Sequence, residues 1–124
     1  MRCKIMHYTS FVGDSFKTQI ELLEKLSKQT LLSFDPGMLY VQKGFDELKP
    51  ILDRTDILLI NESELRLLCD NGDSSVKELA IGFLDLGIGT VVVKQGSSGV
   101  YATNGTHECQ VEAYECNVVD TTDA

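Results

Sequence analysis

Polar side chains able to bind a metal ion or a phosphate group follow three short apolar runs of the sequence. Asp35 follows LLSF, Asn61 and Glu64 follow DILLI, and the segment KQGSSG, residues 94–99, begins directly after TVVV. Each run is typical of a strand buried in a parallel sheet. Because ligands of such sheets bind outside the carboxyl ends of the strands, we expect these residues to line one rim of the molecule and to form its functional site.

Asn61 and Glu64 are open to two interpretations. Asn is a preferred N-cap residue, and a Glu three places later completes the capping-box pattern at the start of a helix. One carboxylate and one amide at the end of a strand could also hold a hydrated magnesium ion through water. The two roles are compatible.

The glycines of KQGSSG also have two interpretations. Gly96 and Gly99 could shape only a turn into the next strand, or their missing side chains could let a flat ring or a phosphate approach the backbone. For Asp35 we favour a role in starting the turn at Pro36-Gly37 over an approach to a bound phosphate, because Asp initiates turns well.

Hydrophobic periodicity predicts the elements that must position these residues. Strands and helices alternate along the chain, which is the order of a parallel sheet with crossover helices. The predicted strands are residues 3–9, TLLSFD, DILLI and TVVVK. The predicted helices are the segment with Phe16, Ile20 and Leu23 on one face, GFDELKPILDRT, NESELRLL and SSVKELAIGFLDLG. In GFDELKPILDRT, Pro50 is expected in the first turn or at a bend. Asn104-Gly105 lies between GVYAT and HECQVEAYE and predicts a terminal hairpin. We expect one domain over residues 1–124, a three-layer α/β fold with an antiparallel hairpin at its C-terminal edge.

Composition excludes several classes of protein. The formal net charge is -8 and the eleven basic residues are scattered, so we expect no nucleic-acid partner. No apolar run is long enough to span a bilayer and the N-terminus has no signal-peptide core, so we expect no membrane association and a cytoplasmic location. A nucleotide could still bind through backbone N–H groups, helix N-termini and a divalent cation.

The cysteines and histidines do not form a recognisable reactive cluster in the sequence. Cys3, Cys69, Cys109 and Cys116 include no CxxC pair, and we expect reduced, mostly structural thiols. His7 and His107 fall on predicted strands without a Cys or Asp spaced to form a triad, and we expect structural or surface roles for both.

Four segments occur in the order found in one enzyme family: SFDPG, DILLINESE, VVVKQGSSGVYA and VVDTT. On these segments the sequence resembles the PfkB/ribokinase family of carbohydrate and nucleoside kinases over essentially its whole length. The resemblance implies a ribokinase-like fold, ATP and Mg²⁺ as cofactors, and a sugar or nucleoside as phosphate acceptor. Members of the family are about two to three times as long.

The resemblance also implies roles for individual residues. Asn61 and Glu64 match the pair that organises magnesium and the phosphates of ATP. Asp120 and Thr122 match positions that coordinate a monovalent cation, K⁺ in type, in the members that use one. The loop that lines the adenosine pocket is matched by Lys94, Gln95, Gly96, Ser97, Ser98 and Gly99.

The family's next residues would be Gly-Ala-Gly-Asp, an anion hole followed by the catalytic base, whereas this sequence reads Asp123-Ala124. Either Asp123 replaces the first glycine, or the three small residues are deleted and Asp123 stands in the position of the base. Both alignments remove the backbone donors that stabilise the transferring phosphoryl group. The resemblance also implies a lid segment at the amino-terminal side of the family's fold, and we find no counterpart of it before Cys3.

We therefore predict a truncated homologue or fragment of an ATP-dependent sugar or nucleoside kinase, inactive alone. The alternative is a noncatalytic nucleotide-binding or protein-interaction module. Sheet edges left exposed by the short length favour self-association in either case.

Overall fold

Among the residues that the structure describes, six strands form one mixed sheet in which the strands follow chain order. A computed structural model describes residues 4–10, 15–70 and 73–112. The strands are β1 Ile5–Thr9, β2 Leu31–Asp35, β3 Ile57–Asn61, β4 Thr90–Lys94, β5 Val100–Thr103 and β6 Glu108–Val111, in the order β1-β2-β3-β4-β5-β6. Neighbours from β1 to β4 are parallel, and β5 and β6 are added antiparallel. The predicted α/β class, with its parallel sheet and terminal hairpin, is confirmed.

In the described ranges, five helices connect the parallel strands: α1 Ser15–Leu23, α2 Gly37–Val41, α3 Phe45–Leu52, α4 Glu62–Cys69 and α5 Val76–Asp85. Four were predicted, and α2 was not. Pro36-Gly37 was expected to form only a tight turn, but Pro36 is the N-cap of α2 and Gly37 has a φ of 65°. No helix in the described ranges is long and apolar enough to cross a membrane.

Pro50 lies near the end of α3, not in its first turn. A proline there has no N–H to donate to the preceding turn. The helix ends two residues later at Leu52, and the Asp53 N–H donates to the Lys49 carbonyl at 2.8 Å. The proline therefore falls where little helix remains to be disrupted.

One face of the sheet is buried beneath the helices. Its strand residues are almost inaccessible to solvent: Tyr8, Leu32, Phe34, Leu58, Ile60, Val91, Val93 and Tyr101. They share one core with the apolar side chains of α2 to α5. Because side chains alternate across a strand, the residues between them must lie on the opposite face.

The opposite face, which we call the open sheet face, is apolar but accessible. Its outer residues Ile5, Leu31 and Val111 are 58%, 45% and 59% exposed. Its central aliphatic residues are half-buried: Ile57, Leu59, Val92, Val100 and Ala102. A covering layer on this side, the third layer of the predicted architecture, is not found among the described residues.

A four-residue loop, 104–107, joins the two hairpin strands. The Asn104 side chain accepts from the N–H groups of Thr106 and His107 at 3.0 and 2.7 Å, and Gly105 has a φ of 91°. The Asn-Gly signal therefore marked the hairpin correctly. His107 lies in this loop, one residue before β6, and not on a strand as predicted.

Candidate functional site

The carboxyl ends of the parallel strands meet at one edge of the sheet. Thr9 at the end of β1 is paired in register with Asp35 at the end of β2, and Asn61 at the end of β3 with Lys94 at the end of β4. The sheet therefore brings Asp35, Asn61 and Lys94 together although up to 59 residues separate them. The rim that the sequence predicted exists for these described residues.

Asn61 and Glu64 form a complete capping box at the start of α4. Asn61 Oδ1 accepts from the Glu64 N–H at 2.8 Å, and Glu64 Oε1 accepts from the Asn61 N–H at 3.2 Å. Asn61 has extended backbone, with φ of -85° and ψ of 163°, as an N-cap residue requires. The interpretation as a helix cap is confirmed.

The capping box leaves part of both side chains for other contacts. It uses one carboxylate oxygen of Glu64, and the second oxygen lies outside it, as does the amide nitrogen of Asn61. Glu64 is only 6% exposed, so its rotamer is held by packing. A carboxylate held in one rotamer at the carboxyl edge of a sheet is a suitable outer ligand for a hydrated divalent cation.

Lys94 and Asp35 are joined across the end of β3 by an ion pair. Lys94 Nζ lies 3.3 Å from Asp35 Oδ2, and the two side chains are 47% and 30% exposed. An exposed pair of this kind adds little stability. Its effect is local, since the Lys94 ammonium neutralises the carboxylate that would otherwise repel an anion at this rim. The sequence indicated both positions but not their contact.

Residues 96–98 form a single 3-10 turn directly after β4. The Gln95 N–H donates to the Gly99 carbonyl at 2.7 Å, which closes the turn. Ser97 and Ser98 are exposed. Gln95 Oε1 is buried and has no hydrogen-bond partner in the described structure.

Gly96 and Gly99 of this loop differ in what a side chain at each position would contact. Gly99 has a φ of 95°, and an added Cβ would lie 2.8 Å from the carbonyl carbon of Val111, so Gly99 lets β6 pack against the turn. Gly96 has a φ of 59°, and its Cβ would meet nothing within 4 Å. The turn interpretation therefore holds for Gly99, and Gly96 faces open space that a ligand could approach.

Two further predictions concern metals and thiols. Within the described ranges no group of three or more His, Cys, Asp or Glu side chains could hold a metal ion. Cys69 and Cys109 are free, and burial raises the pKa of the Cys69 thiol, which keeps it protonated at neutral pH. The predicted structural role of the cysteines stays a prediction.

Several predicted residues lie outside the described residues. These are Asp120 and Thr122 of the monovalent-cation prediction, Asp123 of the catalytic-base prediction, and Cys3 and Cys116. Their roles stay predictions.

A separate cleft of about 570 Å³ lies among α3, α4 and α5. It is lined mainly by apolar side chains such as Phe45, Leu79 and Phe83. None of the rim residues contributes to its wall. It was not predicted, because its walls come from three helices whose contacts cannot be read from periodicity.

Comparisons with known proteins identify the family of the chain. The profile of the pfkB family carbohydrate kinases matches residues 4–124. A sugar kinase of Archaeoglobus fulgidus is 35% identical over an alignment of 124 positions, which covers 97% of this chain and 47% of that kinase. The chain belongs to the pfkB family of carbohydrate kinases.

Solved structures show the same fold. A ribokinase from Thermotoga maritima superposes with a TM-score of 0.75 at 24% identity, over 96% of this chain and 38% of its own. A ribokinase II from E. coli, solved in complex with ATP and Mg²⁺, gives a TM-score of 0.69 at 27% identity, over 95% of this chain and 40% of its own. The chain thus spans less than half of the length of these relatives.

Proposed function

We propose that this chain is the nucleotide-binding portion of an ATP-dependent sugar or nucleoside kinase. The observation that carries the proposal is the alignment of Asn61, Lys94 and the 94–99 turn at the carboxyl edge of one parallel sheet. The relative solved with ATP and Mg²⁺ has the same fold, which supports these two cofactors for this chain.

The donor groups at the rim suit a magnesium nucleotide. Glu64 offers one carboxylate oxygen beyond the capping box, and this oxygen would hold the hydration shell of Mg²⁺. Lys94 would contact a phosphate as a point charge, while Gly96 leaves space for close approach to the turn. When bound, the magnesium ion would supply charge neutralisation between neighbouring phosphates.

The residues that would complete phosphoryl transfer are not supplied by the described rim. In-line attack by an acceptor hydroxyl needs donors aimed at the charge that develops and a base within hydrogen-bond reach. In the sequence, Asp123 follows Thr122 without the glycine-rich turn of the family. We therefore propose that the 124-residue chain binds nucleotide and does not turn over substrate alone. The K⁺ role of Asp120 and Thr122 rests on the resemblance.

Calorimetric titration of MgATP into the 124-residue chain tests the binding proposal. Glu64→Gln keeps the capping box, because Gln also serves at the third helical position, but removes the charge. We expect MgATP affinity to fall about tenfold, the loss of one charged contact. Glu78→Gln is the matched control, since Glu78 holds the same position of α5 behind its N-cap Ser75. Absence of binding by the unaltered chain, or an equal loss in both variants, would contradict the proposal.

A kinase assay separates the partial enzyme from a complete one. With MgATP and ribose, fructose, adenosine, cytidine or inosine, we expect no turnover by the 124-residue chain. Clear turnover of any acceptor would overturn the prediction of incompetence and leave the nucleotide site in place. A noncatalytic nucleotide-binding module would also bind MgATP without turnover. The partial kinase and the noncatalytic module therefore differ only in whether adding the rest of a pfkB-family kinase restores activity.

A further inference from the structure

The cleft among α3, α4 and α5 has a buried apolar floor and an open mouth. Leu68, Leu79 and Phe83 form its floor and are 6%, 7% and 3% exposed. Leu86 lies at its mouth and is 41% exposed. Its volume of about 570 Å³ falls within the range of pockets that hold small organic molecules. None of its described lining residues belongs to the rim, so a ligand in this cleft would be additional to the proposed nucleotide.

Gly82 lines the cleft without a packing reason to be glycine. It lies inside α5, four residues after Glu78 and four before Leu86, and all three residues line the cleft. Glycine inside a helix is less favourable than alanine. A Cβ added at Gly82 would nevertheless meet no atom of the described structure within 4 Å. The missing side chain therefore leaves space in the cleft wall and relieves no contact.

One side of the cleft carries a negative charge without a partner. Glu78 is exposed, and among the described lining residues it is joined by no Lys, Arg or His. Two cations close to it are engaged elsewhere in the described structure. Lys77 Nζ lies 3.3 Å from Glu108 Oε1, and Arg66 donates to the Ser74 carbonyl at 2.7 Å. The cleft therefore favours a ligand with a cationic group over one with an anionic group.

Two aromatic rings form part of the apolar wall. The ring centroids of Phe45 and Phe83 are 6.4 Å apart, and the ring planes are tilted by 50°. Phe45 is half-buried, so part of its ring is accessible. Aromatic rings prefer tilted or offset contacts with further rings, and a ligand ring can extend this pair. An apolar aromatic wall beside one free carboxylate is complementary to an organic cation with an apolar body.

We propose that the cleft among α3, α4 and α5 is a binding site for a small organic cation with an aromatic body. The body lies over Gly82 against Phe45 and Phe83, and the ammonium group pairs with Glu78. Gly82 and Glu78 are about one helical turn apart, roughly 5.4 Å along the axis, so one small ligand reaches both. A second copy of this chain is a less suitable occupant, because both copies carry a net charge of -8.

Calorimetric titration of the 124-residue chain with diphenylpropylamine tests the proposal, because this amine has two rings and one ammonium group. Diphenylpropionate has the same rings with a carboxylate and is the matched ligand. We expect a dissociation constant on the order of 0.1–1 mM for the amine, as for ligands of its size, and at least tenfold weaker binding of the carboxylate. Glu78→Gln should weaken amine binding about threefold, the effect of one exposed ion pair. Glu47→Gln, at the same third position of α3, should leave it unchanged.

Gly82→Leu separates a filled cleft from a damaged fold. Leucine is a better helix former than glycine, so the melting temperature should not fall. Its side chain would occupy the space beside Gly82, so amine affinity should fall at least tenfold. The Cys69 thiol gives a second readout because Cys69 lines the cleft. Amine at ten times its dissociation constant should slow alkylation of Cys69 by iodoacetamide about tenfold, while alkylation of the exposed Cys109 on β6 stays constant.

The proposal is overturned by no binding at millimolar amine, by equal affinity for the amine and the carboxylate, or by equal loss of amine affinity in Glu78→Gln and Glu47→Gln. Unchanged amine affinity in a folded Gly82→Leu variant, or equal slowing of alkylation at Cys69 and Cys109, would also overturn it. A Gly82→Leu variant that fails to fold leaves the decision to Glu78→Gln and to Cys69. MgATP binding is measured separately, so failure of this site and failure of the nucleotide proposal are distinguishable.

Discussion

Asn61 gives the sharpest test of how the rim is held, because one substitution removes its capping contact and another keeps that contact while adding a negative charge. Asn61→Ala removes the acceptor that lies 2.8 Å from the Glu64 N–H and leaves that donor at the buried start of α4. Loss of an N-cap side chain costs about 1 kcal/mol. For a chain of this size the melting temperature should fall by roughly 3–6 °C.

Asn61→Asp is the matched control for the cap. Asp is as good an N-cap residue as Asn, and a negative charge at a helix N-terminus is favourable. The melting temperature should therefore stay within about 1 °C of the unaltered chain, by the same size scaling. The added charge lies beside Glu64, so MgATP affinity should fall although stability does not.

Thermal unfolding followed by circular dichroism measures the stabilities, and calorimetry measures the affinities. Ser75→Ala, which removes the 3.1 Å cap of α5, serves as a reference for a cap away from the rim. The reasoning is refuted if Asn61→Ala melts with the unaltered chain, or if Asn61→Asp is as destabilising as Asn61→Ala.

Two further predictions concern the glycine loop and the hairpin. Gly99→Ala should destabilise the chain by about 3 kcal/mol or more in urea unfolding, because its Cβ would overlap the backbone of Val111. Gly96→Ala should cost only about 1 kcal/mol, for its positive φ. Equal losses would contradict the different roles given to the two glycines. The Tyr101 hydroxyl donates to Glu108 at 2.6 Å. This hydrogen bond lowers the pKa of Glu108 below its ordinary value of 4.5. The contact therefore stabilises the fold above pH 4.5, and this stabilisation is lost as the pH falls through the lowered pKa of Glu108. Tyr101→Phe should therefore flatten the acid limb of a plot of melting temperature against pH, and an unchanged limb would contradict the coupling.

The sheet could be predicted from sequence because its signals are local and strong. DILLI and TVVVK are continuous apolar runs, and Asn104-Gly105 marks the hairpin. The helix α2 was missed because Pro36-Gly37 is an equally good turn signal, and a helix of five residues leaves little periodicity to detect. Of the two alternatives for Pro50, the first turn or a bend, the first is wrong, because α3 begins at Phe45, after Gly44 with its φ of 93°.

The place of the rim residues at the strand ends and the capping box of Asn61 and Glu64 could be predicted, but the contact between Lys94 and Asp35 could not. The rule that ligands bind at strand carboxyl ends identified Asp35, Asn61 and Lys94. The ion pair between Lys94 and Asp35 depends on the order of β2, β3 and β4 in the sheet, which periodicity does not define. The open sheet face was not predicted either, because a buried parallel strand and a strand with one open apolar face have the same composition.

The central claim is that the carboxyl edge of this sheet binds a magnesium nucleotide. Backbone amide chemical shifts of the 124-residue chain, recorded as MgATP is added, test it most directly. We expect saturable shifts concentrated at Asn61, Glu64 and residues 94–99, with the residues that line the 570 Å³ cleft, such as Phe45, Leu79 and Phe83, unaffected. Shifts confined to that cleft, or none at millimolar nucleotide, would contradict it.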